Sequence, residues 1–270
     1  MLDEPTAIGM AEALLAVLTV VFSVEYFMAI RRGDLTAGTL LDWNVYSLQP
    51  GWVYKGWRSK LLVATYRPRT FRLITLARGF IATSLLWLDP ASRGVVLALL
   101  LALALLVNLR HAHGRDGGDE MGIIVLAGLA VYRLAGPESA WRWAGVIFIS
   151  AQATLAYMVS GVAKLVSMDW RSGKALPAIL ATEIYGQPRL LRYMHWSGIF
   201  FVGSWSILLW ETSFIGYWAT PMPWAMAWLA AGLAFHIATA VVMGLNTFLL
   251  AFIAAYPILV LCHELLHSQL

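Results

Sequence analysis

One cysteine, Cys262, stands in 270 residues, which excludes an internal disulfide and any Cys-x-x-Cys redox couple. Charge is also scarce: Asp, Glu, Lys and Arg make up 13% of the chain, where a soluble domain carries roughly a quarter. With 60% hydrophobic residues and a mean hydropathy of +0.71, the sequence belongs in a bilayer. The first apolar run, 10–30, has no basic stretch ahead of it, since Asp3 and Glu4 are acidic. It is also too long, and lacks a small-residue cleavage site, to be a secretory signal. A formal net charge of +4 is too weak to argue for nucleic acid and instead reports topology and lipid contact. No internal repeat at a fixed period is present.

What the sequence has in abundance is apolar runs of the length that crosses a membrane as a helix, roughly 17–25 residues. They fall at 6–30, 71–88, 94–110, 119–134, 141–165, 195–218, 222–243 and 245–267. The expected fold is an all-α, multi-spanning helical bundle of about eight transmembrane helices forming a single domain over 1–270. Among thirteen tryptophans, Trp141, Trp143, Trp196, Trp218 and Trp224 sit near the ends of these runs, as interfacial aromatic belts require. Segment 31–70 is basic and aromatic, an interfacial stretch with Arg31, Arg32, Lys55, Arg58, Lys60, Arg67 and Arg69. The loop 171–194 mixes basic and apolar residues as an in-plane amphipathic helix does. With eight spans, both stretches fall on one side and the acidic amino terminus on the other. The positive-inside rule then sets both termini outside, in a bacterial inner membrane.

Lys164 ends the fifth run, and from Trp143 to Val162 the only ionisable side chain is Tyr157. An ionisable group at such depth marks function unless it snorkels to the interface, its stem covering apolar surface. The surrounding string is Tyr157-Met-Val-Ser-Gly161-Val-Ala-Lys164-Leu165, followed by Asp169-Trp170 and Gly173. It resembles the catalytic-lysine segment of the vitamin K-dependent gamma-carboxylase family. A second string agrees in spacing with that family's His-to-Pro helix: His236-Ile-Ala-Thr, Gly244-Leu-Asn246-Thr-Phe248, Ala254-Ala-Tyr256-Pro257. Together they are similar to the broader HTTM (horizontally transferred transmembrane) group, with its carboxylase-like and SdpB-like bacterial members, from the third span onward.

That resemblance implies an enzyme whose lysine deprotonates a reduced vitamin K-type quinone. The quinone then takes up O2, and a substrate carbanion adds CO2. A base must be neutral, and desolvation lowers a buried lysine's affinity for its proton. The sequence near Lys164 holds no acid before Asp169, five residues on, which favours a neutral amine. His236, in mid-helix, is the second catalytic candidate, or else a satisfied interhelical hydrogen bond. Tyr157, Trp170 and Asn246 are candidates for contact with quinone or substrate. So are Asn108, His111 and His113 in the polar loop, although the family's adjacent Asn-His pair is not present there. That loop also reads as a capped turn, with Asp119 and Glu120 opening a helix. Glu25 and Glu211 are expected to pair with Arg78 or another basic side chain.

One motif points to another class. His263-Glu264-Leu-Leu-His267 matches H-E-x-x-H, two imidazoles on one helical face around zinc with a glutamate base. No third ligand follows it, so an intramembrane zinc metalloprotease, and a metal altogether, stand below the quinone reading. The sequence holds no large soluble region after its last span, the part that recognises a propeptide in the animal enzyme. The expected partners are therefore the lipid bilayer, a quinone, and a small peptide substrate or partner protein. A non-enzymatic membrane accessory or scaffold for peptide maturation or export is the alternative.

Overall fold

A computed structural model describes residues 2–33, 42–48, 55–110, 117–187, 190–191 and 197–268. The described residues hold helices and no strand. In chain order the helices are α1 (Glu4–Arg32), α2 (Trp43–Tyr46), α3 (Trp57–Thr65), α4 (Pro68–Thr83) and α5 (Pro90–Arg110). Then come α6 (Gly117–Leu134), α7 (Ala140–Val166), α8 (Met168–Arg171), α9 (Ala175–Leu180) and α10 (Ser197–Thr212). The series closes with α11 (Gly216–Ala219), α12 (Met222–Met243) and α13 (Asn246–Ser268). Five of them, α1, α5, α7, α12 and α13, are long and apolar enough to cross a membrane.

The expected count of eight therefore exceeds the five helices that meet this standard among the described residues. The other three runs fail for local reasons. Helix α4 has 16 residues and gives way to a 3-10 turn at Ser84–Leu86. Helix α6 carries Asp119, Glu120 and Arg133 within 18 residues, and α10 has only 16 residues. Within the loop 171–194 the described residues include the short helix α9. Gly173 (φ +74°) turns the chain just before it, where a Cβ would come within 2.7 Å of Phe201 Cα.

The chain divides into two compact units, 1–11 with 146–270, and 12–145. In the second unit a carboxylate binds three helices together. Glu12 of α1 is fully buried and accepts from Arg93 Nη1 of α5 at 2.6 Å and Arg133 Nε of α6 at 2.6 Å. Two arginines on one carboxylate satisfy a charge that would be costly if left alone in an apolar interior. Asp89 caps α5, its Oδ1 accepting from Ala91 and Ser92 N–H at 3.0 and 3.1 Å, with Pro90 as first residue. That is the usual order of a helix start. At the other end of this unit, Ile30, Trp43, Leu62, Tyr66, Phe71 and Val107 form one buried cluster. It gathers the basic end of α1, helices α2 and α3, the start of α4 and the end of α5.

In the first unit α12 and α13 form a hairpin. Gly244 (φ +75°) ends α12 in the left-handed conformation, and its N–H donates to Ala240 O at 3.0 Å. A glycine is the residue that takes such a turn without strain.

Candidate functional site

Helix α7 presents Tyr157, Ser160 and Lys164 at intervals of three and four, one face of a helix. Next to them Gly161 brings α10 close: a Cβ there would lie 2.8 Å from Glu211 C and 2.9 Å from Glu211 Cβ. That approach delivers Glu211 to the lysine. Lys164 Nζ lies 2.6 Å from Glu211 Oε2, with side-chain exposures of 17% and 3%. Nζ also donates to Ser160 Oγ, which in turn donates to Glu211 Oε1 at 3.3 Å. The Trp170 ring stands under the ammonium, 5.3 Å away.

The acid-free surroundings expected for Lys164 are thus corrected. The acid arrives from a helix 47 positions away, which local sequence does not reveal. Glu211 has a basic partner, as expected, and that partner is Lys164.

Two turns before Lys164 on α7, Tyr157 is the centre of a second network. Its hydroxyl lies 2.8 Å from His236 Nε2 on α12 and 3.0 Å from the Tyr256 hydroxyl on α13. Gly232 makes the space: a Cβ there would strike the Tyr256 hydroxyl and come within 2.8 Å of the Trp210 ring. His236 is fully buried and stacks on Phe252 at 4.5 Å, with Phe248 at 4.8 Å. Its Nδ1 has no hydrogen-bond partner among the described residues. Such an atom is an unusual cost in an apolar interior.

Beside Lys164 opens a cavity of about 440 Å³. Trp170, Leu180, Phe200, Ile207, Phe235, Thr239 and Phe248 are among its walls, and Lys164 is the one ionisable side chain lining it among the described residues. A volume of this size falls within the range of small-molecule sites. The arrangement offers an apolar chamber for a flat hydrophobic molecule and one polar corner, an ammonium with its carboxylate, where a hydroxyl of that molecule could dock.

The remaining candidates scatter. Asn108 belongs to the other unit, where it lines a small cavity with Arg78 and Asp119. Asn246 opens α13 beside the cavity wall but is not among its lining residues, while Leu245 and Phe248 are. His111 and His113 lie outside the described residues. The residues that local sequence did not single out are Glu211 as partner of Lys164, Ser160, and Tyr256 in the second network.

In the H-E-x-x-H segment, His263 Nε2–H donates to Thr220 O at 2.9 Å and His267 Nε2–H donates to Trp218 O at 3.2 Å. The two rings stack with centroids 4.3 Å apart. Glu264 accepts from the Leu2 N–H at 3.2 Å. These three side chains tie helix ends together, and no group of three or more His, Cys, Asp or Glu forms a metal-holding set among the described residues.

Fold and site together define an all-α integral membrane protein with a partly buried lysine–glutamate pair at the edge of an apolar cavity. No protein-family model, curated protein or solved structure matches the chain.

Proposed function

We propose that this protein is a carboxylase-like enzyme of a bacterial cell membrane that binds a reduced vitamin K-type quinone in the cavity, with Lys164 as the base. The observation that carries the reading is the cavity itself: wide, apolar and, among the described residues, furnished with a single ionisable group, Lys164. A reduced quinone supplies an acidic hydroxyl and two reducing electrons, with O2 and CO2 as co-substrates and a small molecule or peptide as acceptor.

The chain's own part is proton handling. Lys164 must be neutral before it can take a proton. Across the 2.6 Å contact, Nζ can hand its proton to Glu211 Oε2, leaving an amine and a carboxylic acid. A hydrophobic ring filling the cavity expels water, and a dry environment favours that neutral pair over the charged one. Nζ is then free to accept the hydroxyl proton, with Ser160 holding its orientation. His236 acts through Tyr157, fixing the helix face that carries the lysine, and so serves as a positioning residue.

The test is turnover in lipid nanodiscs with reduced quinone, O2 and labelled bicarbonate. Wild type is expected to consume quinol, and Lys164→Ala to consume none while its thermal melt stays cooperative. Wild type no faster than protein-free nanodiscs removes the enzyme reading. One observation favours a second reading, a membrane accessory for peptide maturation or export: Lys164 already has Glu211, Ser160 and Trp170 as partners. That reading expects co-purification with a partner protein and no quinol consumption.

A further inference from the structure

From Trp43 to Leu88 the chain carries seven basic residues and no acidic one. On the outer side of α4, Arg69, Arg72, Leu73, Leu76 and Phe80 follow one another at helical spacing, and all five are exposed. Leu73 is 67% exposed, Leu76 47% and Phe80 78%. The opposite side of the same helix is buried through Phe71, Thr75, Gly79 and Ala82. So the outer stripe has two parts in order: guanidinium groups at one end, then bare apolar surface. From Arg72 to Phe80 that surface runs about 12 Å at 1.5 Å per residue.

These arginines are available. The side chains of Arg69 and Arg72, like those of Lys60 and Arg67, have no ion-pair or hydrogen-bond partner among the described residues, whereas Arg93, Arg133 and Lys164 all rest on carboxylates. They are also held firmly. Phe71 lies between them in sequence and is 1% exposed, and Leu62 and Tyr66 of the adjoining α3 segment belong to the same buried cluster. The neighbouring Trp57, 70% exposed, is the kind of side chain that settles at the headgroup level. A cationic patch adjoining an apolar stripe, on a protein with five helices long enough to cross a membrane, has the chemistry that an anionic lipid matches.

We propose that the outer face of α4 is a binding site for an anionic phospholipid, its phosphate held by Arg69 and Arg72 and its acyl chain lying over Leu73, Leu76 and Phe80. Charge complementarity selects the headgroup, since each Lys or Arg near an anionic surface adds an attraction that a zwitterionic lipid does not return. The exposed leucines and phenylalanine select a lipid over a free phosphate.

Native mass spectrometry of the protein in micelles tests the assignment, using equal phosphatidylglycerol and phosphatidylcholine of the same chain length. Wild type is expected to retain phosphatidylglycerol preferentially. Arg69→Gln/Arg72→Gln is expected to cut that retention by about tenfold and leave phosphatidylcholine unchanged. Arg31→Gln/Arg32→Gln, the same charge loss at the end of α1, is expected to keep the preference. Leu73→Ser/Phe80→Ser is expected to lower the retention of both lipids. Equal retention of the two lipids by wild type overturns the site. So does an equal loss in the two arginine variants, which makes the effect one of general charge. Displacement by inorganic phosphate at the concentration of the lipid also overturns it, because the acyl stripe then contributes nothing.

Discussion

Lys164 and Glu211 meet at 2.6 Å with the carboxylate 3% exposed, and the worth of that contact depends on which partner is removed. Glu211→Leu leaves a cation without its counter-charge, and Lys164→Met leaves an anion; each is expected to cost about 3 kcal/mol or more. Removing both leaves apolar side chains of similar volume, and the double variant is expected within about 1 kcal/mol of wild type. Thermal melts in one detergent check the pattern. Stability recovered in the double variant without quinol turnover assigns the pair to chemistry; failure to recover denies that it is a simple ion pair. In the second network, Tyr157→Phe removes the partner of His236 Nε2 and is expected to cost about 1–3 kcal/mol. Tyr256→Phe leaves the 2.8 Å contact between Tyr157 and His236 intact and is expected to cost less. Lys164, Tyr157 and His236 were legible in the sequence because each is polar inside an apolar run. Glu211 was legible as an acid near a span end, but not as the partner of Lys164, because that pairing is made by two helices meeting and not by neighbours in sequence.

Between helices, glycines decide where side chains can meet. Gly161 sits where a Cβ would press on Glu211 and Thr212 backbone, so Gly161→Ala is expected to push α7 off α10, lengthen the Lys164–Glu211 contact and destabilise by about 1–3 kcal/mol. At Gly9, near the start of α1, an added Cβ would meet nothing within 4 Å. Gly9→Ala is therefore expected to gain up to about 1 kcal/mol from helix propensity alone. The same assay serves both, and equal effects would refute the packing account. Hydropathy alone located the helices well: α5, α12 and α13 match their runs closely. It gave eight crossings where five helices among the described residues are long and apolar enough, because apolar composition does not register where a helix stops. The 3-10 turn at Ser84–Leu86 follows α4 inside an apolar stretch.

For the whole molecule, the lone thiol offers a direct report on unfolding. Cys262 is partly buried in the last helix, so maleimide labelling is expected to be at least about tenfold slower in mild detergent than in SDS. Labelling at one rate in both would mean that α13 is not packed against its neighbours. Composition declared the membrane class at once, since so little charge leaves no other solvent for the chain. The two units were not legible, because the first of them joins residues 1–11 to 146–270, and no local signal announces a partner that distant.

That distance has a cost in time. The Leu2 N–H and the Glu264 carboxylate that accepts it are separated by 262 positions. A ribosome adding roughly 5–20 residues per second delivers the second partner about ten to fifty seconds after the first. Residues 12–145 are in the membrane well before then, able to assemble on their own schedule. The opening turns of α1 must wait, already synthesised but without the helix that receives them. A pause or truncation ahead of α13 would leave those turns as the exposed mark of an unfinished chain, open to the cell's quality control.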